Sequence, residues 1–294
     1  MTTQEYACPH GIEQEKSIMR HADALADELG IDTLIIQACG RNEVGFLSEA
    51  RSYQHYIWLS RTPESLPVVE TATHSVISVP KIATGENFLT LGYFLAVVTG
   101  RLEFHKRAIN LTACEHGMIN GLQIVIPSSR LPWLLDNQID SFESIKTPQT
   151  LLMLITIAMR FAHEGREGKP IGTSFILSSP EDVAPYTWQL ILNPCAGYPE
   201  NIRNVFRNDF IEIIRELSAL DGAFLISPNG EVRSSAVFIA SHGRPDDGME
   251  SGKGARHHSA RALTSHTHAI AVVLSESSGE ITVYQAGKEL LHFT

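Results

Sequence analysis

The stretch Leu220-Asp221-Gly222-Ala223-Phe224-Leu225-Ile226-Ser227-Pro228-Asn229-Gly230 decides how the chain is read, together with its continuation through Val232–Ala240 to Gly252-Lys253-Gly254-Ala255-Arg256-His257-His258-Ser259-Ala260. Two apolar runs, Phe224–Ser227 and Val232–Ala240, flank an Asn-Gly turn, which predicts a β-hairpin. Asp221 stands between an expected helix and the first strand, where small neighbours leave its carboxylate open to a ligand or metal. The second cluster places two glycines, Arg256, His257 and His258 within seven residues. Exposed backbone N–H groups and a guanidinium fork suit an anionic group such as phosphate. An acid on one strand edge facing a Gly/Arg/His loop suggests phosphoryl chemistry, with metal on the acid side. By spacing alone, the same residues also read as a solvated turn with an incidental arginine.

These residues carry a resemblance. Asp221-Gly222-Ala223 matches the DGA motif of the diadenylate cyclase (DAC) family, and Gly254-Ala255-Arg256-His257-His258-Ser259-Ala260 resembles its second motif, G-T-R-H-R-x-A. Leu192-Asn193-Pro194 with Gly197-Tyr198 precedes the first motif, and Val273-Leu274-Ser275-Glu276-Ser277-Ser278-Gly279 follows the second. The ordered set runs from Leu151 to the C-terminus and is similar to the soluble branch of the family, in which an α/β domain stands in front. The first half resembles, in layout only, the α/β domain at the end of pyruvate kinases.

The resemblance implies condensation of two ATP into cyclic di-AMP with release of two pyrophosphates, at the face between two DAC domains of a homo-oligomer. It implies that Asp221 binds Mn²⁺ or Mg²⁺ and helps activate the attacking ribose hydroxyl, with Glu276 as a second metal neighbour. Gly222 and Ala223 would lie against the adenosine. Arg256 and His257 would contact phosphates as part of the catalytic set, with Gly254, Ala255, His258, Ser275 and Glu276 completing the nucleotide contacts. Two departures stand out: the motif's threonine is Ala255 and its second arginine is His258. They leave a second reading open, that of a weak or inactive nucleotide-binding sensor.

Composition is consistent with an ordered globular chain. Its 294 residues fit two domains. A formal net charge of -10 argues against a broad nucleic-acid surface, whereas a nucleotide pocket needs only local positive charge. Cys8, Cys39, Cys114 and Cys195 form no C-x-x-C pair, which speaks against structural zinc and fits reduced thiols in a cytoplasmic protein. The polar N-terminus lacks a signal core, and Leu151–Met159 is too short to span a bilayer. No membrane or nucleic-acid partner is expected.

The expected fold class is α/β, with residues 1–146 forming a small parallel α/β domain of regulatory or oligomerising role and residues 147–294 a DAC domain built on a mixed sheet flanked by helices. In the first half, Glu13–Leu29 reads as an amphipathic helix with Ala22, Ala24, Leu25 and Leu29 inward. Strands are expected at Thr33–Ile36, His55–Leu59, Ser75–Val79 and Gln123–Pro127, and helices at Val44–Ala50 and Asn87–Thr99. Gly40-Arg41 is a candidate small-anion loop, and Cys114-Glu115-His116 cannot all reach one ion from regular structure. In the second half, Thr147-Pro148 starts a helix to His163. Strands follow at Ile171–Leu177, Gln189–Leu192, Ala269–Leu274 and Glu280–Tyr284. Asn208–Ala219 is read as a helix facing the core through Phe210, Ile213, Ile214 and Leu217, and Ser259–Ser265 as another. The polar loop from Ser241 to Gly254 reads as mobile, and His266 and His268 as structural or surface histidines.

Overall fold

A computed structural model describes residues 9–38, 53–63, 66, 68, 71–113, 118–131, 148–240 and 254–293. The chain divides into two compact units, Met1–Pro132 and Trp133–Thr294. The join expected at 146/147, the loop 241–253, the Gly40-Arg41 loop, the Val44–Ala50 helix and Cys114–His116 lie outside the described residues.

The first unit runs α1 (Pro9–Leu29), β1 (Thr33–Ala38), β2 (His55–Ser60), β3 (His74–Ser78), α2 (Gly85–Val98), β4 (Ala108–Ala113), β5 (Ile119–Val125) and α3 (Pro127–Arg130). Its sheet has the order β3-β2-β1-β4-β5. β1 pairs in parallel with β2 and β4, and β2 with β3, but β5 is antiparallel to β4. The expected small parallel α/β domain is thus present in β3-β2-β1-β4, with one antiparallel strand, β5, added at the edge. Five residues separate β4 from β5, far fewer than a parallel crossover needs. The core face of α1 is Met19, Ala22 and Ala26, with Leu25 and Leu29 partly buried, while Ala24 is exposed.

The second unit runs α4 (Pro148–Glu164), β6 (Thr173–Leu177), α5 (Pro180–Val183), β7 (Thr187–Gln189), α6 (Asn208–Leu217), β8 (Ala223–Ile226), β9 (Val232–Ile239), α7 (Ala255–His266), β10 (Ile270–Leu274), β11 (Ile281–Gln285) and β12 (Lys288–Phe293). Its seven strands form one sheet of order β12-β11-β10-β6-β8-β9-β7. β6 and β8 are parallel and every other pair is antiparallel, so the sheet is mixed as expected. The parallel pair is possible because α6 lies in the crossover between its strands. β6, β10 and β11 are buried along their whole length, the sign of strands covered on both faces. One covering layer is α7, whose Ala260 and Leu263 meet Ile176, Ala271, Val273 and Tyr284.

Local deviations from the sequence reading have simple causes. Ile213 is 46% exposed, and the inward face of α6 is instead Phe210, Ile211 and Ile214. β7 ends at Gln189, and Leu190–Leu192 turn outward, with Leu192 95% exposed. α7 begins at Ala255, one turn earlier than its sequence suggests, so Arg256, His257 and His258 belong to its first turn.

The segment after β7 is tied to the β8–β9 hairpin by a buried acid. Glu231 is fully buried, with Arg203 Nη2 2.5 Å from its Oε1 and Arg233 Nη2 2.7 Å from its Oε2. These approaches are Coulombic rather than aligned hydrogen bonds. Arg203 also donates to the carbonyls of Tyr198 and Val232, each at 2.9 Å, and Asn193 Nδ2 donates to Arg233 O at 2.9 Å. Removing the charge of Glu231 strands Arg203, which is only 14% exposed. Glu231→Gln is expected to lower unfolding free energy by about 3 kcal/mol in urea titration, the usual result of breaking a buried pair.

Candidate functional site

The hydrogen-bond register brings the chemistry-bearing residues to one edge of the second sheet. Leu274 of β10 pairs with Thr173 of β6, and Val237 of β9 with Ala223 of β8. The amino ends of the parallel pair therefore lie beside the carboxyl ends of their antiparallel neighbours. There the chain forms a cleft of about 1090 Å³, and its walls include Asp221, Gly222, Ala223, Gly254, Ala255, Arg256, His257, Ser275 and Glu276.

Asp221 reaches the cleft from the turn between α6 and β8. It is exposed, and its carboxylate has no hydrogen-bond or ion-pair partner among the described residues. Gly222 allows this turn. Its φ is +107°, and a Cβ there would lie 2.7 Å from Val237 N and 2.8 Å from Ala236 C. Opposite, Ala236 is itself left-handed at φ +54°, where the β8–β9 register shifts between Ala223 and Leu225. Gln189 Nε2 holds this irregular backbone by donating to Ser235 O and to Ala236 O, the latter at 3.4 Å.

The first turn of α7 forms the facing wall. Gly254 is its N-cap and offers no side chain, while the amides of His257 and His258 both turn back to Gly254 O at 3.0 and 3.3 Å. The amides of Ala255 and Arg256 have no acceptor within the helix, so the helix start is receptive to anions. Arg256 Nη1 stands 3.4 Å from Glu276 Oε2. Gly172 makes room for that pair: a Cβ on it would lie 2.6 Å from Arg256 Nη1 and 2.7 Å from Glu276 Cβ. His257 is buried, with Nδ1 3.0 Å from Tyr284 Oη, a contact that fixes the imidazole's orientation.

One residue of the expected set is placed elsewhere. His258 is not among the residues lining the cleft; it lines a separate hollow of about 190 Å³ with Arg261, Tyr284, Gly287, Lys288 and Glu289. His257 lines both. The cause is helical: successive residues in a first turn point about 100° apart, so the two histidines diverge.

Sequence reasoning missed Lys169, Gly172 and Ser174. Lys169 adds a second cation to the cleft wall. Ser174 also lines the cleft; it is 2% exposed, and its Oγ has no hydrogen-bond partner in the described structure. A serine in the otherwise apolar end of Ser174-Phe175-Ile176-Leu177 was the available signal.

Fold and cleft together define a mixed α/β domain whose anion-receptive edge joins a helix start, two cations and two carboxylates. Residues 160–289, within the second unit, match the family described as DAC, DisA bacterial checkpoint controller nucleotide-binding. The chain is 39% identical over 149 residues to a diadenylate cyclase of Methanocaldococcus jannaschii, covering 50% of this chain and 47% of the relative. It is 32% identical over 146 residues to a diadenylate cyclase of Haloferax volcanii, covering 49% and 52%. The chain thus spans about half the length of the curated relatives it matches. Among solved structures, a pyruvate kinase from Cryptosporidium parvum aligns at a TM-score of 0.31 and 18% identity, covering 38% of this chain and 22% of that one. That likeness is too slight to bear on either unit. Among the described residues, no helix is long and apolar enough to cross a membrane.

The close approach at Gly222 is testable without any ligand. Gly222→Ala must move the backbone of Ala236 and Val237, and is expected to cost about 1–3 kcal/mol in denaturant unfolding. Gly254→Ala, whose added Cβ meets nothing within 4 Å, is expected to stay within about 1 kcal/mol of the parent.

Proposed function

We propose that the second unit binds ATP in this cleft and that two such units, face to face, condense two ATP into cyclic di-AMP and two pyrophosphates. The observation that carries the reading is the convergence of Asp221, Arg256 and Glu276 with the open start of α7 on one cleft. Two relatives that bear the diadenylate cyclase name support it.

In each half-reaction a ribose 3′-oxygen forms a bond to the partner nucleotide's α-phosphorus. The bond from that phosphorus to the bridging oxygen breaks, pyrophosphate leaves with the electron pair, and the hydroxyl proton is lost. The chain's task is positioning and charge stabilisation. Asp221, unpartnered and exposed, is placed to orient the attacking hydroxyl and draw its proton away. Arg256, the amides of Ala255 and Arg256, and Lys169 offer donors to the phosphate oxygens. His257, held by Tyr284, presents a fixed imidazole to the same charge, and Ser174 Oγ adds a hydroxyl at the wall.

A divalent cation such as Mg²⁺ or Mn²⁺ fits this donor set. Among the described residues no three His, Cys, Asp or Glu gather into a metal cage, but one or two carboxylates plus nucleotide phosphates are a usual complement for Mg²⁺. Asp221 would hold the ion, with Glu276 joining once phosphate engages Arg256. When bound, the ion supplies charge neutralisation of the triphosphate.

Ring closure needs a second nucleotide. The surface next to the cleft suits a second copy: Leu190 and Phe238 line the cleft yet are 44% and 42% exposed, and Trp188, 52% exposed, stacks on Phe238 at 4.5 Å. Trp188→Glu is expected to weaken self-association in sedimentation and to lower product yield at least tenfold while ATP affinity holds.

The direct test is incubation with ATP and Mn²⁺ or Mg²⁺, with products separated by mass, beside Asp221→Asn. Cyclic di-AMP from the parent and a loss of about a hundredfold or more in the variant are expected. Saturable ATP binding without product in either metal would favour the sensor reading, for which Ala255, with a methyl group facing the cleft instead of a hydroxyl, is the specific observation.

A further inference from the structure

The hollow that takes His258 away from the cleft has a chemistry of its own. About 190 Å³ in size, it lies between the first two turns of α7 and the β11–β12 turn, with His257, His258, Arg261, Lys288 and Glu289 on its walls. Drug-sized and nucleotide ligands occupy about 300–1,000 Å³, so this space suits a small ion and not a nucleoside. Its polar lining is dominated by nitrogen. Arg261 Nε donates to Gly287 O at 3.1 Å, which fixes the guanidinium and leaves its two Nη groups as a fork. Neither Arg261, Lys288 nor His258 has an acidic side-chain partner among the described residues. The one acid, Glu289, approaches His292 Nδ1 at 3.6 Å. In a chain of net charge -10, a half-open basic recess is a departure from the surface average.

We propose that this hollow is a second anion site, taking a phosphate-type oxyanion, orthophosphate or pyrophosphate, on Arg261, Lys288 and His258. It is separated from the nucleotide cleft by the thickness of one side chain, because His257 lines both spaces and is tied to Tyr284, which also lines the hollow. An anion here bears on the imidazole that faces the nucleotide, so occupancy of one space changes the affinity of the other. That coupling rests on the cleft being the ATP site; the anion site itself does not.

Calorimetric titration of the full chain with orthophosphate and, separately, with pyrophosphate tests the site, with metal chelated. The comparison uses Arg261→Ala/Lys288→Ala, two exposed positions, and Arg256→Ala, with circular dichroism checking the fold of each. Binding in the parent is expected to persist in Arg256→Ala and to weaken at least tenfold in the double variant. Preference for pyrophosphate over orthophosphate would identify the reaction's own leaving group as the occupant; the reverse would identify free phosphate. Absence of binding in the parent, binding untouched by the double variant, or binding abolished by Arg256→Ala each overturns the proposal. A second titration reads the coupling: orthophosphate is expected to shift ATP affinity at least threefold in the parent and not in the double variant. Should ATP fail to bind at all, the cleft assignment fails while the first titration still decides the anion site.

Discussion

The constraint on which the cleft of the second unit depends is the approach of Gly222 to the backbone of Ala236 and Val237. No side chain fits at 222, and the opposing Ala236 takes a left-handed conformation that costs about 1–3 kcal/mol for a non-glycine residue. That cost is offset by burial of β8 and β9 and by the two carbonyls that Gln189 holds from β7. In return, the chain leaving α6 turns sharply enough to present Asp221 outward while Ala223, two residues on, is already in the core. The strain is thus local, and it sits where the Asp221 carboxylate enters the cleft.

The second requirement is that a helix start face that carboxylate. In a sheet of simple up-and-down strands the ends of β8 and β10 need not share an edge. Here the single parallel pair β6–β8, flanked by antiparallel β10 and β9, puts Asp221, Ser275 and Glu276 on one side, and α7 packs Ala260 and Leu263 against that sheet with its start over the same edge. Gly172 then keeps β6's entry clear, so that Arg256 and Glu276 can pair. Gly222 and Gly172 are thus each required by a named neighbour, whereas a Cβ on Gly254 meets nothing within 4 Å.

Much of this was legible in the sequence because it is local. The Asn-Gly turn and its two apolar runs fixed the β8–β9 hairpin, and the Asp-Gly-Ala and Gly-Ala-Arg-His sequences marked both walls of the cleft. What escaped depends on geometry that sequence spacing does not carry. β4 was missed because its apolar residues are interrupted by Asn110, which is nonetheless fully buried between β1 and β5 of the first sheet. β12 was missed because Lys288-Glu289 and His292 mask a short half-buried strand. The divergence of His257 and His258 follows only once α7 is known to start at Ala255, and the exposure of Ile213 and Leu192 reflects helix phase and a free edge rather than hydrophobicity. Ser174 is the clearest case: what sets it apart is an unpartnered hydroxyl on the cleft wall, which no pattern of residue types reveals.

The central claim, that this sheet edge receives a nucleotide on the start of α7, is most directly tested by amide NMR of the ¹⁵N-labelled protein titrated with a non-hydrolysable ATP analogue. The account predicts the largest shifts at Gly222, Ala255, Arg256 and Ser275, saturating together. Saturable shifts confined to other residues, with these four unmoved, would contradict it.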